Sequence, residues 1–180
     1  MEFLFVSGDP ALDFAGTMQY RYADPAELLR TPDDFREWIV RAGLLDVPPS
    51  VDEQQLMRAI ELREAIYRLA IATRDGTRLA ESDRAIVNGM ALAPPVTMAL
   101  GASGGILRSG DTEAVMATLA RKAVVLLGSD RARLIRECDA SWCSRLYVDS
   151  SRRGSRRWCS MASCGNRAKV AAFRERQQGR

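Results

Sequence analysis

The chain has 180 residues, 47% of them apolar and 27% charged, enough for one ordinary domain with a real core and a small module beside it. It contains no histidine, which excludes a Ser-His-Asp triad, a zincin motif and imidazole acid–base chemistry, so no enzymatic activity is expected. The net charge of +3 hides a division: residues 1–143 carry 16 basic and 21 acidic side chains, residues 144–180 carry 10 basic and 2 acidic, and a basic tail on an acidic body points to a polyanionic partner.

Phe3 to Val6 reads as a short strand closed by Ser7-Gly8-Asp9-Pro10, and Ala11 to Tyr20 as a helix with Leu12, Phe14 and Met18 turned inward. This opening lacks the basic start, apolar core and cleavage site of a secretory leader. The longest apolar stretches, such as Ala123 to Leu127, fall far short of a membrane span, so a cytoplasmic location away from the membrane is expected. Pro25 to Leu29 suggests a helical turn. Thr31-Pro32-Asp33-Asp34 combines an N-cap, a proline at the first helical position and first-turn acids. The helix that follows buries Phe35, Trp38, Ile39 and Ala42 and ends at Gly43. Ser50-Val51-Asp52-Glu53 reads as a capping box for a long helix to about Thr73, with Leu56, Ile60, Arg63 to Ile66 and Leu69 at helical spacing. A further helix spans Arg78 to Leu92, stopped by Pro94-Pro95.

Val96 to Leu100 and Ile106-Leu107 predict a β-hairpin around Gly101 to Gly105, a plain turn that matches neither the P-loop nor the dinucleotide fingerprint. Asp111-Thr112-Glu113 then opens an amphipathic helix, with Val115, Met116, Leu119, Ala123, Val124 and Leu127 on its face and Gly128 at its end. The fold class expected is mainly α: a multihelical body over 1–130 with a small β-hairpin element, followed by a separate module over 131–180.

All four cysteines fall in that module, as Cys138-x4-Cys143 and Cys159-x4-Cys164 with fifteen residues between the pairs. Two short pairs around a hairpin-length spacer supply four thiolates to one tetrahedral Zn²⁺, and a full thiolate shell leaves no open position, so the metal is structural. Two disulfides are the alternative, disfavoured for thiols kept reduced in the cytosol; four thiolates also bind iron. Leu146 to Val148 is expected as a first strand, Ser150 to Ser155 as a turn, and Arg156 to Cys159 as the return strand. Cys159 to Cys164 then opens a helix to about Gln177. This order, hairpin then helix, is treble-clef-like, and Trp142, Leu146, Val148 and Trp158 would form its small apolar core.

Trp158 to Lys169, containing Cys164-Gly165-Asn166-Arg167, resembles the CGNR-type zinc-finger family, as do Cys138-x4-Cys143 and Asp149-Ser150-Ser151-Arg152-Arg153. Phe5-Val6-Ser7-Gly8, Leu12-Asp13-Phe14, Phe35-x2-Trp38 and Ala42-Gly43-Leu44 resemble the ABATE domain that usually precedes this finger. One departure stands out: the Asn-Thr pair of that pattern is Gly16-Thr17 here. The resemblance implies a bacterial zinc protein that acts as a stress-induced transcription regulator.

Three sets of residues are therefore singled out. Cys138, Cys143, Cys159 and Cys164 are the metal ligands. Arg152, Arg153, Arg156 and Arg157 at the hairpin, with Arg167, Lys169, Arg174 and Arg176 on the last helix, are candidates for gripping phosphates or reading guanine edges of double-stranded DNA. Asp13, Tyr20 and Arg21 are candidates for a ligand pocket that would take a small-molecule effector. Gly165 and Asn166 are read as structural, the glycine letting backbone approach the metal and the asparagine bonding backbone or thiolate. The function expected is a DNA-binding transcription regulator whose body senses a signal or mediates homo-oligomer assembly. The alternative is a protein–protein adaptor or ligand sensor in which zinc only braces the fold.

Overall fold

Local start and stop signals set most helices of the protein, seen here in a computed structural model that describes residues 2–178, without the side chains of Ala172, Glu175, Arg176 and Gln178. Helix α1 (Pro10–Ala15) starts at Asp9, whose carboxylate accepts the Ala11 N–H at 3.1 Å. Helix α2 (Pro32–Arg41) starts in a capping box between Thr31 and Asp34. Helix α3 (Glu53–Asp75) starts in a second box, Asp52 with Gln55, and stops at Gly76 in the left-handed conformation that glycine adopts without strain. The cap is therefore Asp52 and not Ser50, whose carbonyl instead accepts the Thr112 hydroxyl at 2.7 Å. Helix α4 (Glu81–Ala91) follows without a side-chain cap, and α5 (Thr112–Leu127) begins at Asp111.

The strands form three antiparallel pairs. β1 (Met18–Gln19) pairs with β2 (Ala26–Glu27), which replaces the helical turn expected at Pro25 to Leu29 and shortens the helix expected to reach Tyr20. β3 (Thr97–Leu100) and β4 (Ile106–Ser109) make the expected hairpin. β5 (Ile135–Glu137) pairs with β6 (Leu146–Val148), so the return strand expected at Arg156 to Cys159 does not form; the partner of β6 lies upstream. Residues 156–159 are irregular and held by single bonds, such as Asp139 N–H to the Arg157 carbonyl at 2.9 Å. Phe3 to Val6 also forms no strand. The Asp13 carboxylate accepts the N–H groups of Val6 and Ser7 at 3.0 and 2.9 Å, and the Ser7 carbonyl accepts the Val148 N–H at 2.8 Å.

The core gathers α1, α3 and α5 around Phe14, Phe35 and Trp38, whose ring centroids lie 5.0 to 6.2 Å apart, within the range of favourable aromatic pairs, Phe35 and Trp38 stacked and the others tilted. Ile135, Leu146 and Val148 belong to this same core. The expectation that Leu146 and Val148 form the core of the cysteine module is therefore corrected: they belong to the body core. Tyr147, between them, turns to the other side and packs with Cys138, Cys159 and Cys164, because successive strand side chains alternate faces. Trp142 and Trp158 do pack against that second cluster. Among the described residues, no helix is long and apolar enough to cross a membrane.

Candidate metal centre

The β5–β6 hairpin carries Cys138 and Cys143 in its connecting loop. Cys159 precedes and Cys164 lies within a π-helical turn (Met161–Gly165) that runs into α6 (Asn166–Gln178). The four Sγ atoms lie within 4.8 Å of one another, with Cys159 Sγ 3.6 Å from Cys164 Sγ and 3.9 Å from Cys143 Sγ. Tetrahedral zinc with Zn–S near 2.3 Å requires S···S of about 3.8 Å. The two Cys159 separations match that spacing, so the four residues fit Zn²⁺ once the widest pair contracts slightly, and the site is structural. Cys138, Cys159 and Cys164 are buried and Cys143 is partly exposed.

The electrostatics agree. Hydrogen bonds from Cys143 and Cys159 lower the Cys138 thiol to about 2, and the Cys159 N–H also donates to its sulfur at 3.4 Å. Beside that thiolate, and without a metal between them, the thiols of Cys143 and Cys159 are pushed up. Four thiolates so close together need a dication to neutralise them.

Gly165 lies close against the movable end of the Met161 side chain. A Cβ there would stand 2.8 Å from the Met161 sulfur. Asn166 donates to the Ala162 carbonyl at 3.4 Å, a backbone contact and not a thiolate one.

The basic residues divide by role. Arg156 is spent internally: its guanidinium donates to the carbonyls of Val6 and Trp158, each at 2.9 Å, and of Cys159, and lies 4.3 Å from the Tyr147 ring centroid. Arg157 is exposed but pairs with Asp139 at 2.7 Å and lies over Trp158. Arg152, Arg153, Arg167, Lys169 and Arg174 are exposed and make no ion pair among the described residues. Arg176 has its side chain outside the described residues. The Ser151–Ser155 loop is braced by Asp149, which accepts the N–H groups of Ser151 and Arg156 at 2.9 and 3.1 Å. That loop shares a shallow cleft with Arg157, Trp158 and Met161.

The expected pocket residues do not come together. Asp13 is buried, clamps the N-terminal segment, and has its carboxyl raised by desolvation. Arg21 is taken up by Glu64 at 2.6 and 3.0 Å and by the Ala15 carbonyl, and stacks 3.9 Å from the Tyr67 ring centroid. Tyr20 lines a cavity beside the metal centre, which neither Asp13 nor Arg21 lines.

Sequence reasoning missed Arg145. It is 6% exposed and donates to the carbonyls of Leu4 and Gly16 at 3.2 and 3.1 Å, joining the two ends of the chain. A Cβ at Gly16 would stand 2.2 Å from this guanidinium, so the glycine in place of asparagine gives Arg145 its space. The visible signal was an arginine beside the apolar strand Leu146 to Val148.

The ABATE family, described as "Putative stress-induced transcription regulator", matches residues 8–130. The CGNR zinc finger matches residues 134–177. No curated protein matches the chain.

Proposed function

Since the chain belongs to the ABATE family and ends in a CGNR zinc finger, we propose that it is a non-enzymatic, DNA-binding transcription regulator. The zinc module contacts the duplex and the body receives the signal or mediates assembly. The observation that carries this reading is the set of exposed cations on the cysteine module that form no ion pair among the described residues, with Arg152 and Arg153 at the tip of a loop braced by Asp149. A rigid loop bearing arginines loses little entropy on meeting a phosphate or a guanine edge. Selection of duplexes from a random pool by the zinc-loaded protein at about 0.15 M salt tests it, because weak charge contacts are screened there. An enriched motif is expected. Replacing Arg152 and Arg153 by alanine should weaken binding and reduce its salt slope by about two units at most. No enrichment would overturn the regulator reading.

A second reading, a protein–protein adaptor, is favoured by the β3–β4 hairpin, where Met98, Leu100, Ile106 and Leu107 are all exposed. It predicts that serines at Met98 and Leu100 abolish an association of the zinc-loaded chain seen by sedimentation, with no duplex enriched.

A further inference from the structure

A cavity of about 60 Å³ lies between the body and the metal centre, several times the space one water needs on the same measure. Cys143, Cys159 and Cys164 line it, and Cys138 does not. Leu4 and Met18 of the body line it as well, and so does the exposed Arg167. Two features separate it from a passive packing gap. The Ser163 hydroxyl lines it buried and without a hydrogen-bond partner. Tyr20 lines it with φ of 54°, the one described non-glycine residue in the left-handed region. Strained backbone and unpartnered buried hydroxyls both concentrate at functional sites.

The chemistry of the wall says which guest. Zinc-held thiolates are already deprotonated, and cationic Arg145 and Arg167 line the same space. Thiolates react in electropositive, partly accessible surroundings. The separations of Cys159 Sγ from Cys164 Sγ and Cys143 Sγ, 3.6 and 3.9 Å, leave only a short closure to a disulfide bond. We infer that the cavity admits a small hydroperoxide, which oxidises the thiolates lining it and releases the metal. One thiolate sulfur attacks the peroxide: an S–O bond forms, the O–O bond breaks, and the departing hydroxide takes a proton from solvent. A second thiolate attacks that sulfur: the S–S bond forms, the S–O bond breaks, and a second hydroxide leaves and is protonated. Two thiolates give up two electrons, one hydrogen peroxide becomes two waters, and Zn²⁺ departs unchanged in charge once two of its ligands are gone. This stands independently of DNA binding.

The test uses the zinc-loaded full chain, a chromogenic chelator to follow metal release, and mass spectrometry to map disulfides. Hydrogen peroxide should release zinc faster than a bulky aryl hydroperoxide at equal concentration. The first disulfide should join Cys159 to Cys143 or Cys164, with Cys138 still open to alkylation. Met18→Trp, which fills the cavity from the body side, should slow release about ten-fold, the effect of a modest added barrier to entry, while zinc content stays that of the unmodified chain. Should Met18→Trp fail to fold or to hold zinc, Ser163→Val carries the same comparison. Release by the two hydroperoxides at one rate, an unchanged rate in a zinc-loaded cavity-filling variant, or a first disulfide containing Cys138 would each overturn the inference.

Discussion

Replacing Arg156 by alanine separates a structural arginine from a surface one. Its guanidinium makes three hydrogen bonds, to the carbonyls of Val6, Trp158 and Cys159, and covers the Tyr147 ring. Hydrogen bonds to a charged group contribute about 1.5–3 kcal/mol each, and an arginine over an aromatic face about 0.5–2 kcal/mol. The residue is only partly buried and water can reach some of these carbonyls, so less than half of the sum survives. The expected loss is about 3 kcal/mol, which for a chain of this size lowers the melting temperature by roughly 6–12 °C. Arg152→Ala, in the same loop but unpaired, should stay within about 0.5 kcal/mol of the unmodified protein. Thermal melts of the zinc-loaded chains, followed by tryptophan fluorescence and circular dichroism, give the comparison. If the Arg156→Ala curve overlaid that of the unmodified protein while DNA affinity fell as it does for Arg152→Ala, the guanidinium would face a partner and not these carbonyls, and the reasoning would fail.

Cys159→Ser should lose stoichiometric zinc and lower the melting temperature sharply, since structural zinc contributes about 10–16 kcal/mol to small modules of this kind; one zinc per chain by elemental analysis with an unchanged melt would remove Cys159 from the ligand set. Burial by itself raises the Glu64 carboxyl, but the hydrogen bonds and charges of Arg21 and Arg63 outweigh it and hold the group below its ordinary 4.5. Its stabilising contribution is therefore present above pH 4.5 and lost as pH falls through the lowered folded value. Glu64→Gln should cost about 2 kcal/mol at neutral pH, less than a fully buried pair because the carboxylate is about a quarter exposed. In urea denaturation the gap to the unmodified protein should close in acid, and a gap independent of pH would refute the assignment.

Features governed by near neighbours were legible in the sequence. Thr31, Asp111, Gly43 and Gly128 mark helix ends because a cap depends on a few adjacent backbone groups. The β3–β4 hairpin was legible for the same reason, its strands flanking one glycine-rich turn. The four ligands were legible because only they share the chemistry. Pairings across longer reaches were not. Leu146 to Val148 looked ready for a downstream partner, but Ile135 lies opposite Val148 and brings an apolar side chain to the body core, which Arg156 to Cys159 has none of comparable shape to match. Arg156 read as a phosphate contact because composition carries no record of which carbonyls lack donors. Asp13 looked like a ligand group near a helix start, although its partners are the N–H groups of an extended segment six and seven residues away.

The double allegiance of β6 bears on how the protein comes off the ribosome. Residues 1–130 emerge first, and α1, α3 and α5 can meet at once, but the apolar face that Ile135, Leu146 and Val148 cover stays open until residue 148 has followed. The strand that closes this face brings Tyr147 against Cys138 in the same movement, while Cys159 and Cys164 follow it in the chain. Synthesis order thus completes the helical core first and leaves the metal to seal a half-built pocket last.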